Sequence, residues 1–169
     1  VIAECAHDFA HNLCSIPDLH FYFYGTSLHK WLSSPLSSVF LYIKKENIPD
    51  LWPLLADNPR REDNDILRLN HTGTNPVHTN LAIANALDYY LKIGGERKEA
   101  RLRYIQRYWT DKVRDLENVI VNTPVEMERS CVIANVGINV LQPAVLAYVL
   151  MTKYKIYTLA IDSANVYGC

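Results

Sequence analysis

The hydrophobic positions in the first third of the chain fall in short runs that are bounded by turn-forming or charged residues. Residues 21–24 are aromatic and are followed by Gly25, while Val39–Ile43 is apolar and is followed by the charged residues 44–46. The chain also begins on an apolar segment, residues 1–5, which is typical of the end of a buried strand. Short apolar runs of this kind predict strands in a sheet that is buried on both faces.

Two helices are predicted after a polar surface segment at residues 58–75. In the first helix, Leu87 and Leu91 belong to an apolar series with three- and four-residue spacing, and Gly94 and Gly95 end it. The second helix is predicted to begin near Glu96. One of its faces mixes basic residues with glutamates and is therefore expected to be solvated; its basic residues are Arg97, Lys98, Arg101, Arg103 and Arg107.

The last third of the chain predicts a compact α+β unit. Residues 119–121, 131–136 and 156–161 have the composition of strands, and residues 143–154 predict a helix with proline in its first turn. We therefore expect three regions: part of a large α/β domain at 1–92, a linking helix at 93–114 and a small α+β domain at 115–169.

Composition and charge exclude some classes of protein. The chain has 169 residues, of which 49% are hydrophobic, so it can form a substantial core. Its net charge of -1 argues against nucleic-acid binding by bulk electrostatics, and we expect no nucleic-acid partner. The apolar runs are too short for a membrane span. With no secretory signal recognisable, we expect a cytoplasmic protein with reduced cysteines.

One cluster of possible metal ligands lies near the start of the chain. Cys5, His7, His11 and Cys14 supply two thiols and two imidazoles within ten residues, a set that tetrahedral zinc accepts. The spacing fits no common zinc finger. A zinc-stabilised module therefore remains an alternative, while the preferred interpretation has no metal site.

The most informative residue is Lys30, which lies between a hydroxyl-rich turn and Trp31. A lysine in this setting can hold its amine against a cofactor aldehyde, with the neighbouring hydroxyls and imidazole directed at a phosphate. The residues that we group with it are Glu4, His7, Ser27, His29, Gly73 and Thr74. Taken singly, each has an ordinary structural explanation as a turn former, a satisfied core histidine or a surface lysine.

Taken in order, these residues carry a resemblance to a known family. Glu4 to His7, the segment from Thr26 through His29-Lys30-Trp31 to Leu32, then Pro35, the Phe-Leu-Tyr run at 40–42 and Gly73-Thr74 resemble the aminotransferase class V family of pyridoxal-phosphate-dependent enzymes. The isopenicillin N epimerase-like branch looks closer than the cysteine desulfurase-like branch. Residues 130–136 and 153–162 resemble the small domain of the same branch.

The resemblance implies a fold and a partner. The expected fold class is α/β, the carboxyl-side part of a PLP-dependent transferase-type (fold type I) large domain followed by a small α+β domain. The full-length protein is expected to be a homodimer with shared active sites that takes a small-molecule amino acid as its substrate.

The resemblance also implies a role for each residue. Lys30 would form the Schiff base with pyridoxal 5'-phosphate and carry protons at the substrate's α-carbon. Ser27 and His29 would bind the cofactor phosphate, and Thr74 would reach the phosphate of the neighbouring subunit. Glu4 would pair with the pyridinium nitrogen, and His7 would lie near the phenolic oxygen of the ring.

Several departures from the family pattern bear on activity. Glu4 replaces an aspartate and reaches about 1.5 Å further, Cys5 replaces a glycine, and the turn at 35–39 lacks glycine, which predicts a changed or strained turn. The family's glycine-rich phosphate loop has no counterpart, and its substrate-binding arginine falls beyond the last residue. We therefore expect the chain to be a carboxyl-terminal fragment that is inactive alone.

Two functions of different class follow from these observations. The first is a PLP-dependent enzyme acting on an amino acid through Lys30 as an epimerase, desulfurase, lyase or aminotransferase. The alternative is a degenerate, non-catalytic homologue or fragment with a structural or interaction role, which Glu4 and the turn without glycine favour.

Overall fold

A computed structural model describes residues 1–54, 61–70, 73–74, 76–163 and 166–169 of the chain. These residues form two compact units, Val1–Glu96 and Arg97–Cys169. Part of the predicted polar segment, at residues 58–60, 71–72 and 75, lies outside the described residues. The domain boundaries expected at 92/93 and 114/115 stay a prediction. No helix within the described ranges is long and apolar enough to cross a membrane.

The first unit contains a three-stranded sheet in the order β1-β2-β3. Strand β1 (Ile2–Glu4) is parallel to β2 (Phe23–Ser27), and Glu4 lies opposite Gly25 in the register. Strand β3 (Val39–Ile43) is antiparallel to β2 and begins opposite Ser27. The carboxyl ends of β1 and β2 therefore lie side by side at one edge of the sheet.

Two details of this sheet differ from the prediction. Strand β2 begins at Phe23 rather than residue 21 and continues through Gly25, which is paired on both sides with Glu4 and Leu41. The sheet is also not buried on both faces, since the outer-strand residues Ile2 and Val39 are 79% and 69% exposed. Each outer strand has one neighbouring strand only among the described residues, so much of its apolar surface stays uncovered.

Both predicted helices are confirmed. Helix α1 (Val77–Ile93) ends where Gly94 adopts a φ of 87° and its N–H donates to the carbonyl of Tyr90. This left-handed conformation is open to glycine at little cost, which explains why the helix stops there. The core cluster of the first unit is formed by the buried residues Ala10, Leu28, Leu32 and Ala86. Tyr24, Ile43 and Ile48 of this unit are buried as well.

The second unit is built around helix α3 and two small antiparallel sheets. Helix α2 (Gly95–Val113), which begins one residue before the predicted Glu96, leads to β4 (Val119–Val121), which pairs with β5 (Val136–Ile138). Helix α3 (Pro143–Tyr154) matches its predicted bounds and is followed by the pair β6 (Ile161–Ser163) and β7 (Val166–Gly168). The predicted α+β composition of this region is thus confirmed.

Two predicted strands of this unit are wrong. Residues 131–135 form no strand, because the Asn135 N–H donates to the Thr123 hydroxyl rather than to a ladder carbonyl, and β5 begins at Val136. Residues 156–160 are also irregular. Lys155 ends α3 in a left-handed conformation with φ 59°. Tyr157, two residues later, is 80% exposed, and no strand within the described part of the chain pairs with it.

The basic face of α2 is only partly the solvated surface that was predicted. Arg103 forms an ion pair of 2.7 Å with Glu99, and both side chains are less than one-fifth exposed. Arg103 also donates to the carbonyls of Met127 and Ser130, and Arg107 donates to that of Val125. These arginines therefore attach residues 125–130 to helix α2 by hydrogen bonds.

Candidate functional site

The candidate site is formed at the sheet edge where β1 and β2 end. The Cys5 N–H donates to the Gly25 carbonyl at 2.8 Å, and the buried Thr26 hydroxyl donates to the Cys5 carbonyl at 2.7 Å. These bonds hold the first turn after β1 against the last residues of β2. Ligands of open α/β sheets bind at such an edge, outside the carboxyl ends of the strands.

Lys30 lies in the turn that follows β2. The turn is closed by two backbone hydrogen bonds, from Leu28 to the Ser38 carbonyl at 3.0 Å and from Ser34 to the Leu28 carbonyl at 3.3 Å. The Lys30 side chain is half-buried, and within the described part of the chain its amine makes no hydrogen bond or ion pair. A half-buried amine without a carboxylate partner is suited to covalent or acid–base chemistry.

Ser27 and His29 flank the same turn. The His29 Nδ1–H donates to the Ser38 carbonyl at 3.2 Å, since a carbonyl can only accept. Its Nε2 can then donate a hydrogen bond only when the ring is an imidazolium. Ser27, the last residue of β2, is half-buried. Ser27 and His29 therefore lie on either side of the buried Leu28, within three residues of Lys30 in the sequence.

His7 is brought to the lysine by the turn after β1. Burial lowers the pKa of His7 below its usual value, the nearby Lys30 ammonium lowers it further, and Glu4 opposes both effects. The His7 Nδ1 accepts a hydrogen bond of 3.3 Å from the Trp31 Nε1–H. The hydrogen bond from Trp31 therefore joins His7 to the turn that carries Lys30.

Glu4 is exposed at the end of β1, and its longer side chain turns back on the backbone. Its Oε1 accepts the Ala6 N–H at 3.0 Å, two residues further along. Among the described residues nothing donates to the second oxygen, Oε2. One carboxylate oxygen is thus fixed by the chain while the other is open to a ligand.

Thr74 is not brought together with the other five residues. It is exposed, follows Gly73 with its φ of 65°, and makes no hydrogen bond to them. The role expected for it, at the phosphate of a neighbouring subunit, stays a prediction because a single chain does not test it.

The structure uses the four alternative zinc ligands in other ways. Across the ranges that the structure describes, no three His, Cys, Asp or Glu side chains form a group that could hold a metal ion. His11 is buried, and its Nδ1–H donates to the His7 carbonyl at 2.8 Å. The zinc arrangement proposed as an alternative is therefore not formed.

Asp8 connects one of these cysteines to the core. Cys14 donates to the Asp8 Oδ2 at 3.1 Å, and the hydroxyl of the fully buried Tyr24 donates to the same oxygen at 3.0 Å. Burial and the Asp8 carboxylate raise the pKa of Cys14 to about 11. All four cysteines are free thiols, and this one is held in its protonated form.

The turn without glycine adopts a conformation that normally favours glycine. Ser37 has a φ of 72°, in the left-handed region. The sequence predicts a changed or strained turn at residues 35–39, and the left-handed backbone at Ser37 fits the strained form.

Sequence reasoning missed the part that Trp31 and His11 play. The two rings stack with centroids 4.3 Å apart and an angle of 11° between their planes. The available signal was the four-residue spacing of His7 and His11, which places both residues in one tight turn when the chain coils after a strand.

Comparison with solved structures identifies the fold. The chain aligns with a cysteine desulfurase from Thermococcus onnurineus NA1 at a TM-score of 0.76 and 21% identity, over 92% of this chain and 40% of that one. It aligns with pyridoxamine-pyruvate aminotransferase from Mesorhizobium loti at a TM-score of 0.74 and 16% identity, over 99% and 44%. A C-DES variant with glycine covalently linked to its PLP cofactor aligns at 0.70 and 15%, over 92% and 42%.

The comparisons with sequences give no further match. No protein-family model matches the chain. No curated protein matches it either. These three structures share 15 to 21% identity with the chain, which spans 40 to 44% of their length. The predicted α/β fold class is confirmed, because the chain has the PLP-dependent transferase-type fold of these structures over the part that it covers. That this part is the carboxyl-terminal one stays a prediction.

Proposed function

We propose that this chain supplies the lysine-bearing part of a pyridoxal-phosphate site in an enzyme that acts on an amino acid. The observation that carries the proposal is the hydrogen bond of 3.3 Å from Trp31, the neighbour of Lys30 in the turn after β2, to His7 in the turn after β1, where Glu4 ends the strand. We propose further that additional polypeptide completes the site, since the chain spans about 40% of the structures it matches.

The residues at this edge fit the cofactor by their chemistry. The Lys30 amine has no carboxylate partner among the described residues, so it is available to an aldehyde. The Glu4 Oε2 is open to a pyridinium N–H, while Oε1 is already used by Ala6. The Ser27 hydroxyl is suited to donate to a phosphate oxygen. The His29 Nε2 can do so as the imidazolium, because the Nδ1–H is already donated to the Ser38 carbonyl.

Bound pyridoxal phosphate would supply an electron sink for the bonds at the α-carbon of an amino acid. The chain's own residues would do the rest. Lys30 would bind the cofactor through its amine and then move a proton to or from the α-carbon, a contribution worth on the order of 10²–10⁴-fold in rate. Glu4 would keep the ring nitrogen protonated, and His7 would orient the ring by a hydrogen bond.

The choice of reaction belongs to the same proposal. Epimerisation, desulfuration, lyase chemistry and amino transfer each use an amine that binds the cofactor and a group that moves a proton to or from the substrate's α-carbon. Lys30 can serve as both. The solved structures that the chain matches include cysteine desulfurases and aminotransferases, which supports amino-acid chemistry without selecting one reaction. A homodimer would bring Thr74 of one subunit to the phosphate of the other.

The proposal is tested by cofactor binding in the full-length protein that contains this chain. We expect an absorption band near the visible edge after incubation with pyridoxal phosphate. Lys30→Ala should abolish it, while Lys45→Ala, a matched change at an exposed lysine outside the site, should leave it unchanged. A wild-type protein that gains no band under these conditions would contradict the proposal.

A second function is favoured by two specific observations. Glu4 stands where the resemblance expects aspartate, and Ser37 keeps a left-handed backbone without glycine. Both suit a homologue that has lost catalysis and serves in assembly. Glu4→Asp in the full-length protein discriminates, because a functional enzyme should change its rate, whereas a degenerate homologue should stay inactive with unchanged cofactor binding.

A further inference from the structure

We propose that Trp31 and His11 are positioning residues that hold His7 as the neutral tautomer with its proton on Nε2. The tautomer itself is inferred from contacts within the chain. Its consequence for chemistry rests on the function proposed above.

The contact between Trp31 and His7 fixes which nitrogen of His7 carries the proton. The indole Nε1–H can only donate, and it lies 3.3 Å from the His7 Nδ1. The two rings meet edge to face, with centroids 6.5 Å apart and planes at 61°. A nitrogen that accepts this bond is unprotonated, so the proton of the neutral ring must sit on Nε2.

His11 fixes the plane of Trp31 from the other side. Its Nδ1–H donates to the His7 carbonyl at 2.8 Å, which locks the orientation of a ring that is only 6% exposed. That ring then stacks on Trp31 at 4.3 Å and 11°. Trp31 also packs against the core cluster of the first unit, so the indole has little freedom to turn its N–H away from His7.

The two histidines are therefore opposite tautomers within one turn of the chain. His11 carries its proton on Nδ1 because it donates to a carbonyl, and His7 carries its proton on Nε2 because it accepts from an indole. The charged groups that act on His7 are the Lys30 ammonium, which favours the neutral ring, and the Glu4 carboxylate, which favours the charged one. His11 is stacked on the Trp31 indole.

In the proposed enzyme this arrangement gives His7 one defined donor. The Nε2–H is the group that His7 can offer to the phenolic oxygen of the cofactor, and it is offered without any change of protonation. Replacing Trp31 would let the proton move to Nδ1 and would leave Nε2 as an acceptor, which repels an anionic oxygen.

The test is to measure the histidine tautomers directly in the full-length protein that contains this chain. Long-range ¹H–¹⁵N correlation spectra distinguish protonated from unprotonated ring nitrogens, and the variants His7→Gln and His11→Gln assign the two sets of signals. We expect an unprotonated Nδ1 for His7 and an unprotonated Nε2 for His11 at a pH where both rings are neutral. In Trp31→Phe, which keeps an aromatic ring on the core, the fraction of His7 protonated on Nδ1 should increase and the pKa of His7 should rise, because the indole N–H no longer occupies Nδ1.

Trp52→Phe is the matched control, because Trp52 is 92% exposed and should leave both histidine signals unchanged. A His7 that carries its proton on Nδ1 in the wild type, or that shows the same tautomer populations and pKa in Trp31→Phe as in the wild type, overturns the inference. If Trp31→Phe does not fold, the scalar coupling between the Trp31 Nε1 and the His7 Nδ1 across their hydrogen bond decides in the wild type, and its absence overturns the inference. None of these spectra needs the cofactor, so a chain with the expected tautomers that binds no pyridoxal phosphate refutes the proposed function and leaves this inference standing.

Discussion

The Thr26 hydroxyl donates a hydrogen bond of 2.7 Å to the carbonyl of Cys5 and so joins the two segments that form the candidate site. Thr26 lies in β2, four residues before Lys30, while Cys5 follows Glu4 and precedes His7 by two residues. The bond is buried, with Thr26 only 4% exposed. The relative placement of the carboxylate, the imidazole and the amine depends on it.

Thr26→Val should lower the free energy of unfolding by about 1 kcal/mol, the usual net contribution of one hydrogen bond. The loss should stay near this value because the Cys5 carbonyl keeps a second bond, from the Asp8 N–H at 2.9 Å. Thr110→Val is the matched control, since the buried Thr110 hydroxyl has no partner within the described residues. Chemical denaturation should find that control neutral or stabilising; equal losses in both variants would contradict the role given to Thr26.

Ser37→Gly should stabilise the protein by about 1 kcal/mol, because the left-handed backbone at Ser37 costs a residue with a Cβ on that order. Part of the gain is offset by the greater freedom of glycine in the unfolded chain. Ser37→Ala removes the hydroxyl but keeps the Cβ, so it should give no such gain. A thermal melt in which alanine stabilises as much as glycine would show that strain is not the cause.

Cys14 should be modified slowly although it is exposed. With a pKa of about 11, its thiolate at pH 8 amounts to on the order of one part in a thousand. Asp8→Asn removes the carboxylate that helps to keep the Cys14 thiol protonated, so it should speed alkylation of Cys14. Mass spectrometry of the labelled peptides measures this rate. Asp18→Asn, an exposed change away from this contact, should leave it unchanged; a faster reaction in both variants would remove the explanation.

The pKa of His7 should rise when Lys30 is replaced by methionine, because the Lys30 ammonium disfavours the imidazolium. Burial, the larger cause, remains, so the pKa should stay below its usual value. Lys45→Met provides the control and should leave the His7 titration in NMR spectra unmoved. An unchanged titration in Lys30→Met would mean that the two residues are not neighbours.

The same shift gives stability a pH dependence of known sign. Between the lowered pKa of the folded state and the ordinary value of 6.5, the unfolded chain binds more protons, so stability falls as the pH drops through this window. The effect is small because only part of the His7 side chain is covered and solvent screens the rest. His7→Gln should flatten the slope in that window, while His78→Gln should keep it.

The elements that sequence reasoning predicted well are those that the local chain determines. Helix α3 has proline in its first turn, α1 meets glycine at its end, and β3 lies between a turn and charged residues. The failures are apolar runs without a neighbouring strand. Residues 156–160 are as apolar as β3, but an apolar run becomes a strand only where another backbone pairs with it.

The candidate site was predictable in part for a similar reason. Lys30, His29 and Ser27 are close in sequence, so the turn that gathers them was visible as a motif. The bond from Trp31 to His7 spans 24 residues and depends on the parallel pairing of β1 with β2. No local pattern encodes that register, so the environment of His7 had to come from the structure.

The most direct measurement is the identity of the residue to which pyridoxal phosphate becomes attached. The full-length protein would be incubated with the cofactor, reduced with borohydride and digested, and the modified peptide sequenced by mass spectrometry. We expect a single stable adduct on Lys30, unaffected by Lys45→Ala and absent from Lys30→Ala. A wild-type protein that carries no adduct, or that carries it on another lysine while Lys30 stays unmodified, would contradict the proposed function.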